Sequence, residues 1–449
     1  MLHEERMKMA NIASETCARV GCRSCGRAFP WPFGGAGFVL SIITPCVVSG
    51  APAGTVIHSF EGGVTGDNPM MGTLVQDQAG ALYGTTSGVE SGLKSGGGTI
   101  FQLQPPAKRS AKWTFANIYR FPPSPHSDPG YPIGALAIDF NGDLYGTTTV
   151  GLVFELSPPQ AGATTWQYQT IYDLTSQKNN TLVGDLLLYG SGTIVGVSQA
   201  NSTNPNGSAF ELVPPANGQG AWSYTLIYSF QGGTDGAHPS GGLIADGRGN
   251  LYGATLDGGL TNSGTVFELS PPTGGATSWT SQVLYSFLGG DTDGSQPICT
   301  LIFDKSGSLY GTTEKGGKGN VGTVFRLSPP QAGQTVWSET ILHYFPASTG
   351  SGPLGGVIED SNGNLYGTTQ TGPGTGGQVF KLEPPAAGKA KWATKILWDF
   401  PTPASGTLPQ GSLLSSGSPP MLYGTTEAGG LEKCKDGASC GTVYGVSPK

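Results

Sequence analysis

Few side chains in this sequence are suited to chemistry, and most of them recur. Asp77, Asp139, Asp246, Asp304 and Asp360 each open a short Asp-x-x-Gly segment. A ring of such carboxylates would suit a metal ion or a sugar. The same residue can instead accept hydrogen bonds from its own turn while the glycine supplies positive φ. Because the acid repeats with the turn, the turn role is the stronger reading; Tyr189 and Ser416 replace it in two copies. Trp113, Trp166, Trp222, Trp279, Trp337 and Trp392 recur in the same way, which favours packing between repeats over a sugar-stacking array. The five histidines, His3, His58, His126, His238 and His343, show no paired metal-ligand spacing. No Walker-type phosphate loop occurs. Hence no catalytic residues, no metal site and no cofactor are expected. The acids and histidines that break the pattern lie in loops: His126 with Asp128, Asp235 with His238, and Asp291 with Asp293. These six are the candidate ligand-binding residues.

Those loops connect the parts of a long repeat. Leu-Tyr-Gly-Thr-Thr, or a close variant, begins at Leu82, Leu144, Leu251, Leu309, Leu365 and Leu422, and a worn copy stands at Ile194–Val197. Successive copies are 62, 50, 57, 58, 56 and 57 residues apart. A second phrase follows each, as in Gly264-Thr-Val-Phe-Glu-Leu-Ser-Pro-Pro272. Six copies then run on from a Trp into a strand-like segment such as Trp279 to Phe287, and an apolar run with a turn precedes each Leu-Tyr-Gly. Four short β runs per repeat, rich in β-branched and aromatic residues and separated by Gly, Pro or Asp turns, read as antiparallel sheet. Near 57 residues, the unit is too long for a β-helix coil and fits one propeller blade. The expected fold is all-β, a seven-bladed β-propeller of four-stranded antiparallel blades. Val56–Phe60 looks like the run that follows Trp elsewhere, and Gly441–Ser447 like the run that precedes it. Pairing the two would close the ring and leave no open sheet edge at the seam.

This motif set, Leu-Tyr-Gly-Thr-Thr with Gly-Thr-Val-Phe-x-Leu-x-Pro-Pro and Trp-x-x-x-x-Leu-Tyr-x-Phe, resembles the Gloeo-Verruco tandem repeat family of exported bacterial proteins over residues 54–449. The strand plan is also similar to kelch propellers. The resemblance supplies no established catalytic residues to carry over. Many relatives resemble surface proteins with a sorting tail; none follows Ser447-Pro448-Lys449, so a free secreted or periplasmic form is expected.

Composition agrees. The 449 residues include 74 Gly and 34 Pro, with 12% charged and 37% hydrophobic residues, which disfavours helical bundles and charged disordered tails. A net charge of −7 argues against nucleic acid as partner. Residues 1–53 read as a basic leader, an apolar run from Phe33 to Val48 and a small-residue terminus at Ala53, the pattern of a secretory signal peptide. The run is interrupted by Gly and Pro and is short for a membrane span. Of the seven cysteines, Cys434 and Cys440 bracket a five-residue loop and are expected to form a disulfide after export; Cys299 is expected as a buried thiol. The expected function is a secreted binding or interaction module that meets an extracellular glycan or protein through loops on one face. The alternative is an extracellular polysaccharide hydrolase or lyase with acids at the channel mouth.

Overall fold

The computed structural model describes residues 54–449 except 63–65, 70–71, 89–96, 108–111, 123–129, 176–180, 217, 219, 347–349, 351, 374–375 and 431–439. The residues form seven antiparallel sheets in chain order, each wound outward from a first strand to a fourth. The fourth blade shows the plan: Ala237–Ala245, Leu251–Asp257, Thr265–Ser270 and Thr280–Ser286, each hydrogen-bonded to the next. Among the described residues the helical pieces are two single 3-10 turns, Gly233–Asp235 and Pro403–Ser405. In the seventh blade, Thr55–Ser59 forms the outer strand by pairing antiparallel with Thr442–Val446. The first and last segments of the propeller therefore share one sheet, and Phe60 at the seam is fully buried.

Each letter of the recurrent Leu-Tyr-Gly-Thr-Thr phrase has a distinct physical task in the second strand. The leucine is fully buried, as at Leu251 and Leu309. The tyrosine packs toward the next blade, where Tyr83 meets Trp166 and Tyr145 meets Trp222 edge to face. Its hydroxyl also donates to the turn aspartate, as Tyr83 does to Asp77 at 2.9 Å and Tyr366 to Asp360 at 2.9 Å. The glycine makes room for the large aromatic of the third strand: a Cβ on Gly253 would lie 2.7 Å from the Phe267 ring. The first threonine reaches the next blade, donating at 3.0 Å from Thr312 to the Gly355 carbonyl. The second pairs hydroxyl to hydroxyl with the third strand, at 2.8 Å between Thr255 and Thr265. Burial without a partner would be costly for such hydroxyls, so the phrase recurs where these contacts are made; the third blade has Ile194-Val195-Gly196-Val197 instead and the fourth has Ala254 for the first threonine.

The first strand differs from the expected plain four-stranded blade. It carries a Gly-x-Leu triplet, or a variant such as Cys299-Thr300-Leu301, that leaves the ladder and bends to the ring axis. Register is lost there, between Ile133 and Ala137, Val183 and Leu187, and Ser240 and Ile244. In the fifth and seventh blades the strand is split in two, as Gly294–Pro297 with Ile302–Phe303 and Thr407–Pro409 with Leu414–Ser416. The cause is crowding at the centre. A Cβ on Gly72 would lie 2.9 Å from the Gly134 carbonyl oxygen, one on Gly134 would lie 2.6 Å from that of Gly184, and one on Gly184 would overlap Gly241. The chain of contacts continues from Gly241 to Cys299, from Gly356 back to Thr300, from Gly355 to Gly411 and from Gly411 to Gly72. Seven neighbours thus meet in a closed circle, and backbone stands where side chains would not fit.

Candidate functional site

The face that carries the loops entering each first strand has two layers, an outer rim of loops and an axial cavity. The rim is organised by the residues that sequence reasoning singled out. Asp235 accepts from the Tyr228 hydroxyl at 2.9 Å and from the Gln231 N–H at 2.7 Å, so it ties its loop to the outer strand before it. Asp293 is buried and accepts from the Tyr285 hydroxyl at 2.9 Å, the Leu288 N–H at 2.7 Å and the Gly294 N–H at 2.6 Å. These two carboxylates point into the protein; their positions are equivalent in consecutive blades, and their partners are local. Asp291 is exposed in the same loop as Asp293. His126 and Asp128 lie outside the described residues.

His238 alone of the described candidates faces a charged partner. Its Nδ1 lies 2.7 Å from Asp257 Oδ2, with both side chains about one-third exposed at 37% and 32%. The backbone of His238 has φ 57°, the left-handed region that few non-glycine residues adopt. That turn aims the ring across the face toward the end of the second strand, where Asp257 sits. Asp257 escaped notice in the sequence because it follows a Leu-Tyr-Gly copy that reads as strand.

The loop between the second and third strands lies on the same face, as expected: Gly259 N–H donates to the Gly233 carbonyl at 2.8 Å. Cys440, at the end of the longest such loop, is disulfide-bonded. Cys434, its expected partner, lies outside the described residues. Cys299 is a free, buried thiol, held by the Thr312 N–H at 3.1 Å, and burial pushes its pKa up.

Inside the rim, an axial cavity of about 310 Å³ runs down the ring centre. Its mouth is formed by Gln199, Leu256, Glu314 and Gln410, the last bonded to Glu427. Apolar side chains of Ile133, Ile298 and Leu354 line the wall. Deeper in, the middle residues of the Gly-x-Leu triplets surround the axis: Thr73, Asp185, Thr300, Gly356 and Ser412 line the cavity. Asp185 carries the only carboxylate at that position of the seven triplets. It accepts from the Ala135 N–H of the blade before it at 2.8 Å, and from the Thr300 hydroxyl of the fifth blade at 2.9 Å. Thr300 Oγ1 in turn accepts from the Gly242 N–H at 2.7 Å. The bonds run past the fourth blade because its triplet holds glycine there. Burial raises the carboxyl pKa, opposed by the Ala135 and Thr300 hydrogen bonds. Asp185 sits in the worn third copy of the repeat, where alignment is weakest. Aligning the Gly-x-Leu triplets would have exposed it.

The opposite face is built of the Asp-x-x-Gly turns, and these aspartates take the turn role. Asp77 Oδ1 accepts from the Ala79 and Ala81 N–H groups at 2.9 and 2.8 Å, and Asp246, Asp304 and Asp360 repeat the arrangement. These hydrogen bonds to the charged form outweigh desolvation and lower the pKa of Asp246, Asp304 and Asp360. Among the described residues no group of three or more His, Cys, Asp or Glu converges as a metal site would require, and no helix is long and apolar enough to cross a membrane.

Solved structures that align with the chain include a luciferin-regenerating enzyme, at 15% identity over 70% of this chain and 91% of that one, with a TM-score of 0.41. A putative oxidoreductase (glucose dehydrogenase) from Thermus thermophilus aligns at 15% identity over 71% and 97%, with a TM-score of 0.42. A gluconolactonase from Xanthomonas campestris aligns at 14% over 68% and 83%, with a TM-score of 0.38. Likenesses this distant assign no activity to the chain. No curated protein matches it significantly. The repeat that builds both faces matches the Gloeobacter/Verrucomicrobia repeat over residues 183–444, and the chain belongs to that family.

Proposed function

We propose that this protein is an exported binding propeller that holds an extracellular ligand, glycan or protein, on the face where the entry loops and the axial cavity open. One observation carries the reading: side chains that recur with the repeat are engaged in the fold, while several that break it gather on this face. Asp185, Glu314 and Gln410 line the cavity, and Asp257 of the His238–Asp257 pair follows Leu256 of the same lining. A rigid ring with variable loops on one face suits recognition, because the scaffold fixes the loops before a ligand arrives. The test is binding of the purified chain to glycan and protein arrays. A His238→Ala, Asp257→Asn double variant should weaken the ligand found, while Phe140→Ala on the opposite face should not. Equal loss from both faces, or loss only from Phe140→Ala, rejects the assignment of the face.

A second reading has one observation in its favour. Asp185 and Glu314 line one cavity in unlike surroundings, which is how a carboxylate pair acquires separate acid and base roles. Turnover of a polysaccharide that is abolished by Asp185→Asn or Glu314→Gln would establish it over binding alone. Export is part of the first reading: the chain recovered from outside the cytoplasm should lack the leader of residues 1–53 and carry the Cys434–Cys440 disulfide.

A further inference from the structure

The geometry points to the axial cavity as a subsite for a single primary ammonium group, such as that of an amino sugar or a lysine side chain, seated against Asp185. This inference rests on the binding face proposed above and names the chemistry of its deepest part.

Size sets the first limit. At about 310 Å³ the cavity is at the small end of ligand pockets, which run from about 300 to 1,000 Å³. It suits a head group or one small ring rather than a polymer. Charge sets the second. Among the described residues the lining holds two carboxylates, Asp185 and Glu314, and no Lys, Arg or His. Low-polarity walls of Ile133, Ile298 and Leu354 focus that negative potential along the axis. A cation entering from the mouth passes Glu314 and meets Asp185.

Hydrogen-bond geometry then selects among cations. Each Asp185 oxygen already accepts one donor, Oδ1 from the Ala135 N–H and Oδ2 from the Thr300 hydroxyl. A guanidinium binds a carboxylate best through two parallel N–H···O bonds, one to each oxygen. Here the two sites facing those oxygens are shared with fixed protein donors, so the fork has no clear edge to engage. An ammonium is a compact charge with three donors that need not be coplanar. It can use a remaining lone pair of Asp185 together with other acceptors of the lining. Ser412 Oγ accepts from the Gly356 N–H at 2.8 Å and has a further lone pair. A divalent ion would need several anionic or carbonyl oxygens in one shell; one partly engaged carboxylate is a poor start for that.

The arrangement is also specific to one blade. Thr73, Ala135, Gly242, Thr300, Gly356 and Ser412 occupy the equivalent triplet position in the other six. A carboxylate at the crowded axis costs desolvation that no described lysine or arginine offsets in the cavity. A ligand ammonium would offset it.

The test titrates the purified protein with methylammonium, and with glucosamine against glucose, at constant ionic strength. Binding is read by saturation-transfer NMR and by the methyl resonances of Ile133, Ile298 and Leu354. Saturable binding of methylammonium and glucosamine, at least tenfold tighter than glucose, with shifts confined to those methyls, is the expected result. Asp185→Asn should weaken both amines at least tenfold while far-UV circular dichroism is unchanged. The methyl shifts on the unaltered protein carry the same test if that variant misfolds. The inference is overturned by glucose binding as tightly as glucosamine, by amine shifts only outside the axis, or by calcium or methylguanidinium displacing methylammonium at lower concentration than methylammonium itself binds. If methylammonium shows no saturable binding while an array ligand still binds the face, the subsite is rejected and the binding face stands.

Discussion

Glu339 should make the propeller less stable as pH rises through neutrality, and removing its charge should remove that slope. Its side chain projects from the outer strand Ser338–Tyr344 of the fifth blade toward the fourth, near Tyr285 and Asp293. Its Oε1 is buried and has no hydrogen-bond partner among the described residues. Desolvation first, and the Asp293 charge second, raise its pKa from the ordinary 4.5 to about 7. Below about pH 4.5 both folded and unfolded chains hold the proton, and the contribution is fully present. Between 4.5 and 7 the unfolded chain ionises while the folded one keeps its proton, so stability falls as pH rises. At about 1.36 kcal/mol per pH unit the ceiling is about 3.4 kcal/mol; screening by solvent at a partly open site reduces it to about 1–2 kcal/mol. His58 and His343, both lowered to about 4 mainly by burial, act oppositely, costing stability as pH falls below about 6.5. They are present in wild type and variant alike and cancel in the difference. The assay is urea unfolding of the wild type and Glu339→Gln at intervals from pH 4.5 to 8. Relative to the variant, wild type should lose about 1–2 kcal/mol across that range. Parallel stability profiles would refute the argument, because they would mean that the carboxyl titrates alike in both states.

Four further outcomes follow from the same geometry. Gly134→Ala combines φ +76° with a Cβ 2.6 Å from the Gly184 carbonyl oxygen; adding a left-handed penalty of about 1–2 kcal/mol to overpacking of about 1–3 kcal/mol predicts a loss of several kcal/mol in urea unfolding. Asp293→Ala removes three hydrogen bonds from a buried carboxylate and should cost about 2–4 kcal/mol, whereas Asp291→Ala in the same loop should stay within about 0.5 kcal/mol. Deleting residues 54–60 takes away the seam strand and buried Phe60 and should lower the melting temperature by several degrees; an unchanged temperature would deny the seam a role in stability. Mass spectrometry of the chain made in an oxidising compartment should show one bridge in a peptide containing Cys434 and Cys440, and reductant should release both thiols without altering the buried Cys299.

How much was legible depends on how far apart the interacting residues lie. The repeat and its turns, the strands and the seven-blade ring follow from local pattern: each blade is about 57 residues of the same chemistry, and such a unit buries its faces only against copies of itself. The turn role of Asp77 and Asp246 and the packing role of the Trp residues were readable for the same reason, since recurrence ties a side chain to the fold. Exposure of the loop acids was not. Asp235 and Asp293 break the pattern in sequence, yet the outer-strand tyrosines Tyr228 and Tyr285 turn them inward. The axial partners were hidden, although alignment of the Gly-x-Leu triplets singles out Asp185. Asp185 meets Ala135 and Thr300, which lie 50 and 115 residues away, and Glu339 owes its raised pKa to burial and to Asp293 in an adjoining loop. Sequence by itself determined the repeated blade, because strand pairing and turn chemistry act over a few residues. Only the closed ring decided which acids are buried, because closure sets the distances across the axis and between outer strands, and those distances control desolvation.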